Sequence, residues 1–113
     1  MIVSLNSKEE KALIDLKNRL IKKIGYNLIK IYLFGSKARG DYHKESDIDI
    51  LIIVKERTHE IKNSIYDILL DINFEYDMYN FSVITYSESE FNCMKQNPLN
   101  LFYMSFSKDE VAI

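Results

Sequence analysis

The segment "DIDILIIV", Asp47 to Val54, constrains the fold more than any other, because a short, uninterrupted run of branched apolar residues is typical of a buried strand. The run nevertheless begins with two acids. Side chains alternate between the faces of a strand, so we expect Asp47 and Asp49 to project to the same side, about 7 Å apart. Two carboxylates this close raise each other's pKa unless a cation lies between them, and Mg²⁺ suits such hard oxygen ligands. The segment therefore predicts a buried strand that begins with a metal-binding acidic pair.

Hydrophobic periodicity and capping residues predict the order of the other elements. The first helix lies within residues 6–25, with Ser7 and Glu10 as a capping box and Gly25 at its end. The later predicted elements are a strand Leu28–Phe34, a helical turn Ser36–Gly40, a strand Asp47–Val54, a helix from Thr58 to about Asn73, a strand from Asn80 to Tyr86, a short helix capped by Ser87 and Glu90, and a last helix with Pro98 in its first turn. This order predicts an α/β fold with a small sheet that helices cover mainly on one side.

A second chemical feature lies upstream, in "FGSKARG", residues 34–40. Gly35 and Ser36 end a strand and begin a helical turn, so backbone N–H groups and the Ser36 hydroxyl can meet an anion where Gly35 has no side chain. Lys37 and Arg39 can add positive charge, although Arg39 could equally brace the acidic loop that follows. Together with the acidic pair one strand away, this turn predicts a site for a nucleoside triphosphate with Mg²⁺.

Length and charge limit the other classes of function. A chain of 113 residues is the size of one domain, and we predict a single domain over residues 1–113. The net charge is −2, with 15 basic and 17 acidic side chains, so we expect no direct nucleic-acid binding by bulk attraction. The single cysteine cannot form an internal disulfide, and no apolar run approaches the roughly 20 residues of a membrane span. We therefore expect a cytoplasmic protein that does not enter a membrane.

The motif "GSKARGDYHKESDID" resembles the signature of the DNA polymerase beta-like nucleotidyltransferase superfamily, in which Gly-Ser is followed about ten residues later by Asp-x-Asp. In a chain this short, it is most similar to the minimal nucleotidyltransferase antitoxins. The resemblance implies a polymerase beta palm-like nucleotidyltransferase fold, a small mixed sheet flanked by helices. It also implies transfer of AMP from ATP, with Mg²⁺, to a tyrosine of a HEPN-domain RNase toxin encoded alongside. We expect a hetero-oligomer with that toxin or a homo-oligomer.

Carried over by position, the resemblance implies that Asp47 and Asp49 are the catalytic residues and the metal ligands, and that Gly35 and Ser36 hold the triphosphate. The predicted nucleotide-binding residues are Gly35, Ser36, Lys37, Arg39 and Ser46.

The superfamily commonly has a third carboxylate, on the strand after the second long helix, and the matching position here is Ser82. Three outcomes follow: the acidic pair suffices, Glu75 or Asp77 supplies the missing group, or the chain only binds nucleotide or partner. An antitoxin that neutralises its partner by binding alone is therefore the second hypothesis. Nucleotidyl transfer to a small molecule is a third, although such enzymes usually need an additional domain to shape the acceptor pocket.

Overall fold

A four-stranded mixed sheet with helices on both faces forms the protein, in a computed structural model that describes residues 5–39 and 47–113. The elements are α1 (Ser7–Ile24), β1 (Leu28–Phe34), α2 (Ser36–Arg39), β2 (Ile48–Val54), α3 (His59–Tyr76), β3 (Phe81–Ser87), α4 (Glu88–Gln96), α5 (Leu101–Asp109) and β4 (Val111–Ala112). The strand order is β3-β2-β1-β4, with β1 antiparallel to both β2 and β4, and β2 parallel to β3. The predicted α/β fold is confirmed.

The first face of the sheet packs against α1 and α3 and is aliphatic. The apolar positions of both helices recur every three or four residues, so each helix presents one apolar side to the strands. Its fully or almost fully buried members include Leu16, Leu20 and Ile24 of α1, Ile48, Ile50, Ile52 and Val54 of β2, and Ile65 and Ile72 of α3. We call this the aliphatic face.

The second face packs against α4 and α5. Leu51 and Ile53 of β2 are buried there beneath Phe91 of α4 and Phe106 of α5. The prediction that helices cover the sheet mainly on one side is therefore wrong. Apolar residues of β2 point to both faces of the sheet, so each face needs a helical layer to cover them. We call this second face the aromatic face.

Several element boundaries differ from the predicted ones. Asn6, one residue earlier than predicted, is the N-cap of α1, and it forms the capping box with Glu9. The helix α3 extends to Tyr76, where Asp77 ends it in the left-handed conformation with φ of 49°. The Tyr76 hydroxyl donates a hydrogen bond to Asp15 of α1, so contact with α1 stabilises the last turn.

The C-terminal part differs as well. Asn100 caps α5, so Pro98 precedes this helix and does not lie in its first turn. The strand β4 pairs with β1 through Leu33 and Val111, and its two residues are too few to produce a periodic pattern. Over residues 5–39 and 47–113, each helix is too short or too polar to cross a membrane.

Candidate active site

The strand register brings three residues into one row across the sheet. Phe34 of β1 is opposite Asp49 of β2, and Asp49 is opposite Ser82 of β3. Side chains at directly opposed positions lie on the same face, and the alternation along β2 puts Asp49 on the face that carries Leu51. The Asp49 carboxylate therefore has an aromatic residue on one side and a hydroxyl residue on the other, at the open end of the aromatic face.

The two predicted metal ligands differ in exposure. Asp47 lies one residue before β2 and is exposed, whereas Asp49 lies within the strand and is half-buried. Between them, Ile48 is fully buried, and its N–H donates a hydrogen bond of 2.8 Å to the carbonyl oxygen of Asn80. This bond ties the acidic start of β2 to the segment that leads into β3.

Gly35 approaches Asp49 so closely that another residue would not fit. Its φ is +76°, a conformation that favours glycine. A Cβ atom at this position would lie 2.2 Å from Oδ2 of Asp49 and 3.2 Å from its Cγ. The turn after β1 and the acid of β2 are therefore in direct contact, as a single site built from both would require.

Lys37 is placed differently from what the sequence predicts. Its side chain is fully buried, and Nζ lies 3.2 Å from Oε1 and 3.2 Å from Oε2 of Glu9. The predicted role was to add positive charge to a phosphate site, but the ammonium group is engaged by a buried carboxylate of α1. The described contacts of Lys37 therefore include a buried ion pair with Glu9, and the assignment of Lys37 to nucleotide binding stays a prediction.

Glu9 and Asn80 were not predicted to lie beside the site. Glu9 belongs to a capping box that the pattern Asn-x-x-Glu predicts, but its contact with Lys37 joins residues 28 positions apart. Asn80 donates from Nδ2 to Oε2 of Glu9 at 3.5 Å. Neither contact has a signal in the sequence, because both depend on how the elements pack.

The remaining predicted nucleotide-binding groups lie outside the described part of the chain. Ser46 is one of the residues between 39 and 47, and the same holds for Gly40, the predicted end of the helical turn. The side chains of Ser36 and Arg39 are likewise outside the described atoms, although their backbone forms α2. The assignment of these three residues to nucleotide binding stays a prediction.

The register places Ser82 beside Asp49, and Ser82 is the residue that the resemblance matches to a third carboxylate. The two alternative acids lie elsewhere. Glu75 of α3 binds the guanidinium of Arg19 of α1, and this hydrogen bond holds the pKa of Glu75 below its ordinary value. Asp77 is the exposed C-cap of α3. Glu75 thus belongs to the helical layer on the other face of the sheet from Asp49.

The donor set fits a magnesium ion held jointly by protein and substrate. Over the described residues, no group of three or more His, Cys, Asp or Glu side chains is arranged to hold a metal. Mg²⁺ does not need one, since it is usually bound by one or two carboxylates together with waters and substrate phosphates. Asp47 and Asp49 can supply those carboxylates, one exposed and one half-buried at the rim of the sheet.

Residues 13–103 match the nucleotidyltransferase domain family. The match covers most of the chain, and the protein belongs to this family.

Relatives with close sequence similarity come from the archaeon Methanocaldococcus jannaschii. One is 58% identical over 45 residues, which are 40% of this chain and 45% of the relative, and another is 36% identical over 81 residues, 69% of this chain and 54% of the relative. Both are named "putative protein adenylyltransferase". The chain spans about half the length of the curated relatives it matches.

A solved structure of a toxin-antitoxin with AMP-PNP has a similar fold. It superposes with a TM-score of 0.58 at 20% identity, over 91% of this chain and 70% of that chain. At this identity the likeness concerns the fold, and it agrees with the nucleotidyltransferase family and with the mixed sheet described above.

Proposed function

We propose that this protein is a Mg²⁺-dependent nucleotidyltransferase that transfers AMP from ATP to a tyrosine of a HEPN-domain RNase toxin and thereby neutralises it. As an antitoxin that uses ATP, it would act in the cytoplasm. The observation that carries the proposal is the contact between Gly35 and Asp49. It joins the predicted phosphate-binding turn to the predicted metal ligand, in a chain that belongs to the nucleotidyltransferase domain family.

Two similarities support the finer parts of the proposal. The relatives named as protein adenylyltransferases support a protein hydroxyl as the acceptor and AMP as the transferred group. The toxin-antitoxin structure with AMP-PNP supports a toxin as the partner and ATP as the donor. The identification of that partner as a HEPN RNase comes from the resemblance of the motif "GSKARGDYHKESDID".

The roles of the chain's own residues follow from the site. Asp47 and Asp49 would hold Mg²⁺, which when bound would orient the phosphates and neutralise their negative charge. Gly35 lets the backbone approach this centre, and the Gly35–Ser36 turn would contact the phosphates. The tyrosine oxygen bonds to the α-phosphorus, the bond to pyrophosphate breaks, and the phenolic proton is lost. Within the row Phe34, Asp49 and Ser82, Asp49 carries the carboxylate, so it is the residue of that row that would accept the proton.

Transfer of label from ATP tests the proposal. The protein is incubated with ATP labelled in the α-phosphate, MgCl₂ and the HEPN protein encoded beside it, and we expect label on a tyrosine of that protein. Asp47→Asn combined with Asp49→Asn should lower the rate by roughly 10³-fold or more, because a metal supplies several kcal/mol of charge stabilisation. The matched control is Asp67→Asn with Asp71→Asn, which removes two exposed carboxylates from α3. Absence of label on a partner that still binds would refute the enzymatic proposal.

A second candidate function is supported by Ser82. A hydroxyl where a third carboxylate is common would suit an antitoxin that neutralises its partner by binding alone. Protection of cells from the toxin separates the two candidates. If the double variant of Asp47 and Asp49 protects cells as well as the wild type, the binding function is the correct one. If protection is lost while binding of the toxin persists, transfer is required.

A further inference from the structure

A buried ion pair lies beside the candidate site. Lys37, two residues after Gly35, is fully buried, and Glu9 is 3% exposed. Removing two charges from water is costly, and apolar residues of similar volume often stabilise a fold equally well. Stability alone therefore does not require charges at these two positions. A carboxylate differs from an apolar side chain because it accepts several hydrogen bonds in fixed directions.

The Glu9 carboxylate collects donors from three parts of the chain. Oε1 accepts hydrogen bonds from the backbone N–H of Asn6, at 3.0 Å, and from Nζ of Lys37, at 3.2 Å. Oε2 lies 3.2 Å from Nζ of Lys37 and accepts from Nδ2 of Asn80, at 3.5 Å. One carboxylate thus connects the start of α1, the helical turn α2 and the segment before β3.

Two of these connections lead directly to the candidate site. Lys37 is part of α2, whose first turn is closed by the hydrogen bond from the Ala38 N–H to the Gly35 carbonyl, at 3.1 Å. The carbonyl of Asn80 accepts the N–H of Ile48, the residue between Asp47 and Asp49. The carboxylate therefore holds both the Gly35 turn and the acidic start of β2.

We propose that Glu9, Lys37 and Asn80 are positioning residues, which hold the Gly35 turn and the acid pair in the geometry that binds Mg²⁺ with nucleotide. This inference rests on the proposed nucleotidyltransferase function. Lys37 acts through Glu9 and does not contact the phosphates. A misplacement of about 1 Å in a site that works by positioning can cost 10²-fold in rate, which makes such a network consequential.

Amide hydrogen exchange tests the network without nucleotide. The variants are Glu9→Gln, which keeps the shape of the side chain and removes its charge, and Asn80→Ala, which removes the amide donor. We expect exchange at the Ala38 and Ile48 amides to become about tenfold faster, because hydrogen bonds to a charged group are lost. The matched control is Asn27→Ala. Asn27 joins the opposite ends of β1 and β2 by two hydrogen bonds to the Glu56 backbone.

Asn27→Ala should lower the melting temperature without changing exchange at Ala38 and Ile48. If exchange at these two amides is no faster in Glu9→Gln and Asn80→Ala than in Asn27→Ala, the proposed network is refuted, whatever the result of the transfer assay. This test relies only on Glu9→Gln and Asn80→Ala and on the control Asn27→Ala. It therefore does not require a variant of Lys37, whose buried position means that a substitution can prevent folding.

Binding of AMP-PNP with Mg²⁺ then distinguishes positioning from direct contact. If Lys37 acts through Glu9, Glu9→Gln and Lys37→Met each weaken binding about tenfold, and the double variant is no worse than either, since coupled residues are not additive. If Lys37 instead contacts phosphate, Glu9→Gln leaves binding unchanged or tighter, and Lys37→Met alone weakens it. That result would overturn the proposal.

A purely structural role would lower the melting temperature of Glu9→Gln and leave affinity, KM for ATP and kcat unchanged in the folded protein. This outcome too would overturn the proposal. Wild-type protein that binds AMP-PNP but transfers no label would refute the proposed transfer function and leave the network supported by its effect on binding.

Discussion

The two faces of the sheet share the strand β2 but differ in what they contain. On the aliphatic face, every inward residue of β2 is apolar and fully buried. On the aromatic face, β2 is divided: Leu51 and Ile53 are buried under α4 and α5, whereas Asp49 is half-buried and adjoins Gly35. One face of β2 therefore serves packing over its whole length, and the other serves packing at one end only.

This difference shows how one strand can contribute to a core and also carry a candidate site. Side chains alternate with a period of two, so Ile48 and Ile50 anchor the same backbone that carries Asp49 to the other face. Substitutions on the aliphatic face, or at the packed end of the aromatic face, should change stability. Substitutions at the acidic end should change transfer.

The largest expected effect is on stability at the packed end of the aromatic face. Phe106 is 1% exposed, and its ring centroid lies 5.2 Å from that of Tyr32 and 5.5 Å from that of Phe34. We expect Phe106→Ala to lower the free energy of unfolding by about 3–5 kcal/mol, through lost burial and the cavity that remains. Urea unfolding measures this, with Met104→Ala on the exposed side of α5 as the control. A cost no larger than that of Met104→Ala would contradict the assignment of Phe106 to the core.

The second effect concerns Gly35. Gly35→Ala places a Cβ where Oδ2 of Asp49 now lies, so the carboxylate must move. We expect transfer to fall by about 10²-fold, because the carboxylate proposed to be catalytic is displaced. Label transfer and thermal melting are measured on the same samples, so that loss of activity is separated from loss of folded protein. A rate within threefold of the wild type would show that the position of Asp49 does not limit transfer.

The third effect concerns Ser82, the residue that the resemblance matches to a third carboxylate. Ser82→Asp adds a carboxylate opposite Asp49 on β3, and we expect transfer to rise by about tenfold, since a positioned base often contributes more than that. The matched control is Ser82→Asn, because asparagine has the same shape as aspartate but no charge.

The same variant offers a readout independent of activity. Adjacent carboxylates repel each other unless a cation lies between them. Ser82→Asp should therefore melt lower than Ser82→Asn in EDTA and regain stability in MgCl₂. An equal melting temperature in both solutions would argue against a metal at this row.

The sequence predicts the central elements because each has a local pattern. The alternation in Leu28–Phe34 gives β1 its observed bounds, and the apolar run after Asp47 gives β2 to within one residue. The importance of Ser82 follows from the resemblance of the motif to the superfamily, and the register places this residue opposite Asp49.

What the sequence does not predict depends on packing between distant segments. The helices α4 and α5 are predicted as elements, but their place on a second face is not, because periodicity identifies an apolar side without its partner. The burial of Lys37 has the same cause: a lysine two residues after a glycine is usually exposed, and its partner Glu9 lies on another helix. The sequence predicts that some group approaches Gly35 closely, but it does not predict that this group is Asp49.

The smallest expected effect lies in the helical layer over the aliphatic face. Burial alone would raise the pKa of Asp15, but hydrogen bonds from Tyr76 and Arg19 outweigh it and hold the pKa below its ordinary value. A carboxyl with a lowered pKa stabilises the fold at pH values above its unfolded pKa, and this contribution is lost as the pH falls through the folded pKa. We expect Asp15→Asn to cost about 0.5–1 kcal/mol at pH 7, with the difference from wild type shrinking as the pH falls below the ordinary pKa of an aspartate, about 3.9. Urea unfolding across pH 2 to 7 measures this difference, with Asp71→Asn on α3 as the control.

The same variant should leave transfer unchanged, because Asp15 and its partners lie on the opposite side of the sheet from Asp49. A twofold or larger change in the rate of transfer would mean that the two faces are not separate in function.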